Sequence, residues 1–166
     1  MTFKDKIREK VLSFYQELPF NIYDSPSEGS EKLDQNNVFN AYPVLNNIFK
    51  HNDIKNIIDV GCGGGWFINS LSSMFPEKYA LGIDFNKVAI DYASKVAKIK
   101  NLKSNFLVTD IFEYTSNIKF NFVSSIGVLH HTYDCIEGIK KITDFCSENS
   151  FLFIGLYHKY GRKPFL

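Results

Sequence analysis

The sequence predicts an α/β protein built on a doubly wound, parallel β-sheet. Two observations carry this. Short apolar runs alternate with helix-like stretches from Asn56 to Leu156, the alternation that builds parallel strands joined by right-handed crossovers. The first of these runs, Ile57-Ile58-Asp59-Val60, also breaks into Gly61-Cys62-Gly63-Gly64-Gly65, and nineteen residues after Gly65 the second run ends on Asp84. Strand, glycine loop, helix, strand, acid is a layout that holds an adenosine-containing ligand at the end of a sheet.

The elements follow in order. Residues 2–17 read as an amphipathic helix, with Phe3, Ile7, Val11, Phe14 and Tyr15 at three- and four-residue spacing and Pro19 ending it. Pro19 to Gly29 reads as a loop from its prolines, glycine and turn-formers, and its Phe20, Ile22 and Tyr23 predict that it lies against apolar surface. A second helix is expected over about 31–50 through Leu33, Val38, Leu45, Ile48 and Phe49, with Pro43 kinking or dividing it. Strands are expected at 56–60, 79–83, 104–108, 120–126 and 150–156, and helices at about 65–75, 86–99 and 133–146. Asn86 suits an N-cap. The helix after it presents Val88, Tyr92 and Val96, with Ala89, Ala93 and Ala97 small enough for close approach to a sheet.

Composition narrows the class. At 166 residues the chain is expected to form one domain with a real core. Its formal charge of +1 comes without a basic stripe, so no nucleic-acid partner is indicated. No apolar run approaches the ~20 residues of a membrane span, and Met1 to Lys10 has no signal-peptide core. Cys62, Cys135 and Cys146 are scattered and odd in number, which argues against a disulfide framework or zinc site and for a reducing, cytoplasmic location. The tandem His130-His131 is not expected to hold a metal. Adjacent residues at a strand end point in opposite directions, and no acidic or Cys partner stands at metal spacing.

The glycine spacing discriminates between ligands. A dinucleotide fingerprint places its third glycine where helix and strand touch; in that register this chain has Trp66, the largest side chain available. That leaves a nicotinamide oxidoreductase as the weaker reading. The pattern is instead GxGxG with an acid two residues before it.

This pattern resembles the first motif of the class I S-adenosylmethionine-dependent methyltransferases. The resemblance runs from about residue 56 to 156 and rests on an ordered set: Asp59 to Gly65, Gly82-Ile83-Asp84, Val108-Thr109-Asp110-Ile111, Phe122 to His131, and Phe151 to Gly155. It implies a Rossmann-like sheet in the order 3-2-1-4-5 and S-adenosylmethionine as cofactor. It also implies roles: Gly61, Cys62, Gly63 and Gly65 for close backbone approach, Asp59 near the cofactor ammonium, and Asp84 on the ribose hydroxyls. Phe85 would cover the ribose or adenine, Asp110 would accept the adenine amino group, and the Ile111 amide would meet a ring nitrogen. Gly127 and Val128 would stand beside the methyl-bearing sulfur. His130 or His131 is the expected general base. Asp59 also reads as a turn cap, Asp84 as a cap on the next helix, and Asp110 as an ordinary loop acid. The implied acceptor is a small molecule.

The family's sheet usually has seven strands in the order 3-2-1-4-5-7-6. Five are placed here, so the chain is expected to lack the C-terminal strands, with residues 1–50 as a helical lid and 51–166 as the core. The fifth strand is then an apolar edge that a partner, or a second copy, could cover. The alternative function is a non-catalytic cofactor-binding module of a larger protein.

Overall fold

The computed structural model describes residues 3–17 and 22–157. Phe20 and the run from His158 to Lys163, which the sequence marks as packing and solvated chain respectively, lie outside the described residues. Five strands, β1 (Asn56–Val60), β2 (Tyr79–Asp84), β3 (Asn105–Val108), β4 (Phe120–Ile126) and β5 (Cys146–Gly155), form one parallel sheet in the order β3-β2-β1-β4-β5. The central strands are near-continuous apolar runs because both faces of a parallel sheet are covered.

The pleat sorts the core into two layers. Ile57, Ala80 and Phe122 face one side with Leu45, Phe49, Phe67, Ile68 and Leu71, while Ile58, Leu81 and Val123 face the other with Leu129, Ile142 and Phe145. Helices α4 (Pro43–His51) and α5 (Trp66–Met74) belong to the first layer and α7 (Cys135–Thr143) to the second, while α6 (Lys87–Ile99) is tied to α5 by Asn69 Nδ2, which donates to Ala93 O at 3.1 Å. Aromatic rings fill much of the first layer, with Phe49 and Phe75 stacked at 5.2 Å between centroids.

The cap differs from expectation in its divisions. Before the sheet come α1 (Phe3–Glu17), α2 (Pro26–Gln35), α3 (Val38–Ala41) and then α4. The chain expected as loop to Gly29 turns helical at Pro26, because the Ser25 hydroxyl accepts from Glu28 N and Pro26 occupies the first turn. The helix expected over 31–50 is divided at Pro43, one of the two outcomes expected there, and a second time at Asn37, which caps a new start. Buried Leu33, Val38, Leu45 and Phe49 anchor α2 to α4, and Val38 N donates to Ser70 Oγ of α5 at 2.8 Å. Tyr92 of α6 keys α2 in place: its hydroxyl accepts from Tyr23 N and donates to Ser25 O, both at 3.2 Å. Gly29 makes room for it, since a Cβ there would lie 2.2 Å from that hydroxyl.

Three side chains differ from the pattern reading. Val88 is 53% exposed and Phe14 is 54% exposed; Ile90 takes the buried place on α6. On α1 the inward stripe is Ile7, Val11 and Tyr15. β5 begins four residues earlier than expected and is irregular between its Cys146 and Phe151 pairings, around Asn149 at φ 56°. Among the described residues, β5 pairs with β4 alone and leaves Leu152 38% exposed.

Candidate active site

The loop after β1 is shaped by its hydrogen bonds. Gly61 N and Cys62 N both donate to Ile83 O at the end of β2, at 2.8 and 3.0 Å. Gly63 N donates to Asp84 Oδ2 at 2.9 Å. These three donors are used inside the protein, so they form no phosphate cradle. Gly61 is held at φ +75°, and a Cβ there would meet Val128 Cγ2 at 2.4 Å, so only glycine lets the ends of β1 and β4 approach this closely.

Above the C-terminal ends of the strands lies a cavity of about 730 Å³. Its wall includes Asp59, Gly61, Cys62, Gly63, Asp84, Phe85, Asp110, Ile111, Gly127, Val128 and His131. Eleven of the thirteen residues expected at the site are therefore brought together, from the ends of four strands. Gly65 and His130 are not in the wall. Gly65, at φ +76°, stands against α6 instead: a Cβ there would meet Ala93 Cβ at 2.5 Å. Trp66, the next residue, does reach the cavity, and its indole N–H donates to Asn36 O at 3.0 Å.

Each acid has a distinct environment. Asp59 is 4% exposed and accepts from Ser124 Oγ at 2.8 Å. Burial pushes its carboxyl up to about 7, against the Ser124 hydrogen bond and with the help of nearby Asp84. Asp84 accepts from Gly63 N and, through Oδ1, from Asn86 N at 2.8 Å. Its carboxyl is also raised by burial, although these amides oppose the shift. The cap reading of Asp84 is answered by Asn86, whose own side chain accepts from Val88 N at 3.0 Å. Asp110 Oδ1 accepts from Phe112 N at 2.8 Å, and Oδ2 pairs with Arg8 Nε at 3.0 Å. Burial also raises the Cys62 thiol well above its usual range, which keeps it protonated and unreactive.

The histidines are not at a strand end as expected. β4 stops at Ile126, Gly127 turns at φ +76°, and Leu129–His131 form a 3₁₀ turn. The rings therefore lie side by side, 4.0 Å between centroids, and only His131 lines the cavity. Tyr15 lies 5.7 Å from His131, and Tyr157 lies 4.2 Å from His130. No group of three potential metal ligands occurs among the described residues.

Sequence reasoning did not single out Arg8, Tyr42 or Tyr157 as cavity residues. Arg8 sits beside the Ile7–Val11–Tyr15 stripe, and that adjacency was the available signal.

Residues 51–159 match the model of the family described as "Methyltransferase domain", and the chain belongs to that family. It is 26% identical over 162 residues to a ubiquinone biosynthesis O-methyltransferase of Rickettsia typhi, covering 96% of this chain and 65% of that protein. It is 25% identical over 103 residues to a probable (S)-tetrahydroprotoberberine N-methyltransferase 2 of Papaver bracteatum, covering 61% of this chain and 29% of that protein. Among solved structures, the plantazolicin methyltransferase BpumL in complex with SAH matches with a TM-score of 0.57 and 27% identity, over 62% of this chain and 39% of that one. The chain thus spans less than two thirds of the length of these relatives.

Proposed function

We propose that this chain binds S-adenosylmethionine in the cavity above the sheet and takes part in methyl transfer to a small-molecule acceptor. One observation carries the reading: Asp59, Asp84 and Asp110, from the ends of three successive strands, line one cavity with the glycine loop. A loop whose amides are tied back to β2 has no place for a pyrophosphate, whereas a sulfonium amino-acid ligand needs none. The plantazolicin methyltransferase BpumL, similar in fold and 27% identical, is solved in complex with SAH.

Bound there, the cofactor supplies a methyl group already activated for in-line displacement by its sulfonium leaving group. The chain's own residues have the remaining tasks. Asp84 keeps lone pairs for the ribose hydroxyls after accepting two amides, and Asp110 keeps one for the adenine amino group. Asp59 offers a carboxylate to the ammonium, whose charge draws the Asp59 proton off. Phe85 and Ile111 supply apolar walls, while Gly127 and Val128 bound the methyl end. Gly65 supports the loop from behind by letting α6 close on it. His131 is the general base for an acceptor hydroxyl or ammonium, because imidazole titrates near neutrality and this ring faces the cavity; His130 packs behind it. Closing the cavity with α1 excludes water and aligns acceptor and methyl carbon, which lowers the barrier by several kcal/mol.

The names of the relatives, an O-methyltransferase and an N-methyltransferase, point to oxygen and nitrogen as acceptor atoms to try first, with phenols and amines as test compounds. No helix among the described residues is long and apolar enough to cross a membrane, and three free thiols fit a cytoplasmic location. The β5 edge, which pairs with β4 alone among the described residues, supports self-association as a second property, to be read from the sedimentation of the chain across concentrations.

Calorimetric titration with S-adenosylmethionine and SAH, with NADH as control, tests the reading. One-to-one binding of the first two alone supports it. Binding of NADH, or of none of the three, overturns it. Binding without transfer to any phenol or amine favours a non-catalytic cofactor-binding module.

A further inference from the structure

Helix α1 is unlike the other cap helices: none of its described side chains is buried, whereas α2, α3 and α4 each bury at least one. Yet α1 covers the cavity, presenting Ile7, Arg8, Val11 and Tyr15 to it. A helix with little buried apolar surface opens at low cost, so its polar ties decide how long it stays closed. At one end Asn86 Nδ2 donates to Tyr15 O at 3.0 Å. At the other, Arg8 Nε meets Asp110 Oδ2 at 3.0 Å and Nη2 meets Glu113 Oε1 at 2.9 Å.

We propose that α1 is a lid over the adenine end of the cavity and that Arg8 latches it through Asp110, so that cofactor enters and leaves only when this ion pair opens. The inference rests on the cofactor reading above. The two partners differ in environment: Asp110 is 9% exposed and Arg8 38% exposed. A charge-assisted bond to a buried carboxylate is strong. Glu113, 65% exposed, adds little. Asp110 is not exhausted by the latch. A carboxylate accepts about four hydrogen bonds, and Phe112 N and Arg8 take two. Asp110 therefore has acceptor capacity left for the adenine amino group with the latch closed. Arg8 is a positioning residue that acts through Asp110.

Trp66, the single tryptophan, lines the cavity, so its fluorescence reports SAH entry and release in stopped flow. In Arg8→Ala both the association and dissociation rates of SAH should rise, dissociation by roughly three- to tenfold, with the dissociation constant changing less than either. Arg8→Lys should fall between. Raising salt to about 1 M should speed release from the wild type and not from Arg8→Ala. Lys100→Ala, which breaks an ion pair to Asp34 away from the cavity, should change neither rate.

Unchanged dissociation in Arg8→Ala overturns the latch. So does faster dissociation with unchanged association, since Arg8 would then be a ligand contact and no gate. Hydrogen exchange of the ligand-free protein gives an independent reading: α1 amides should exchange faster in Arg8→Ala while β1 amides keep their protection. Unchanged α1 exchange overturns the latch whether or not cofactor binds. Failure of the wild type to bind SAH overturns the cofactor reading instead and leaves this measurement standing.

Discussion

The Asp84 carboxylate reaches back across the sheet to the Gly63 amide, 2.9 Å away, so the acid that ends β2 holds the loop that follows β1. Its other oxygen accepts from Asn86 N and steadies the start of α6. One side chain thus fixes the turn after its own strand and the turn after its neighbour's.

Asp84→Ala should abolish SAH binding and also lower stability by about 1–3 kcal/mol, because two partly buried amides lose their acceptors. Asp84→Asn, with one acceptor oxygen left, should recover part of the stability and little of the binding. Calorimetry and urea unfolding of the two variants separate these effects.

Asp59 predicts a pH dependence. Its carboxyl is at about 7 in the folded protein against 3.8 unfolded, so between these values the folded state binds the extra proton. Stability therefore falls as pH rises from about 4 to about 7 and levels off above, by on the order of a few kcal/mol. Asp59→Asn keeps an acceptor for Ser124 and cannot ionise. Urea unfolding should show the stability of the wild type, relative to this variant, falling across that window and flat above it.

Linkage runs the same way for the ligand. Under the proposed binding mode the ammonium shared by S-adenosylmethionine and SAH stands beside Asp59 and favours its ionised form, so binding should release a proton near pH 6, and SAH affinity should rise with pH up to about 7. Calorimetry in buffers of different ionisation enthalpy counts that proton, and Asp59→Asn should abolish the release.

Gly65→Ala adds a Cβ 2.5 Å from that of Ala93 at a backbone φ of +76°. The expected cost is about 1–3 kcal/mol. Thermal melts should show partial rescue by Ala93→Gly, which relieves the shortest contact and leaves the dihedral strain and the Phe106 ring at 3.0 Å.

His131→Asn should cut turnover of a phenol or ammonium acceptor by about 10²–10⁴-fold with SAH affinity nearly unchanged. His130→Ala should act mainly on stability, since that ring packs against Tyr157 and His131 and stands outside the cavity wall. Product formation and SAH titration on both variants separate the two roles.

The sheet and its acids were legible because they rest on local signals: apolar runs, a glycine loop and an acid near the end of each of the first three strands. The helix boundaries in the cap were less so. Their starts depend on single caps, Ser25 and Asn37, and on Pro26 and Pro43 as first-turn residues, which compete with the apolar period. The histidine pair misled because a positive φ at Gly127 ends the strand and tightens the next residues into a 3₁₀ turn, so adjacent side chains no longer alternate. The Arg8–Asp110 pair had no local signal: its partners meet only after α1 folds back across the sheet.

The Tyr92 hydroxyl seated against Gly29 ties the cap's history to the core's. Even the ring carbon that bears the hydroxyl would lie 3.1 Å from a Cβ at position 29, so removing the oxygen alone does not clear the space. A lineage exchanges the pair more easily in one order. With position 92 shrunk first, at the cost of a packing defect, a side chain at position 29 can follow once Val96 Cγ2, 3.3 Å from it, gives slightly; the reverse path forces the tyrosine ring aside. Divergence in the helical cap is therefore licensed by changes on α6, long after it in the chain.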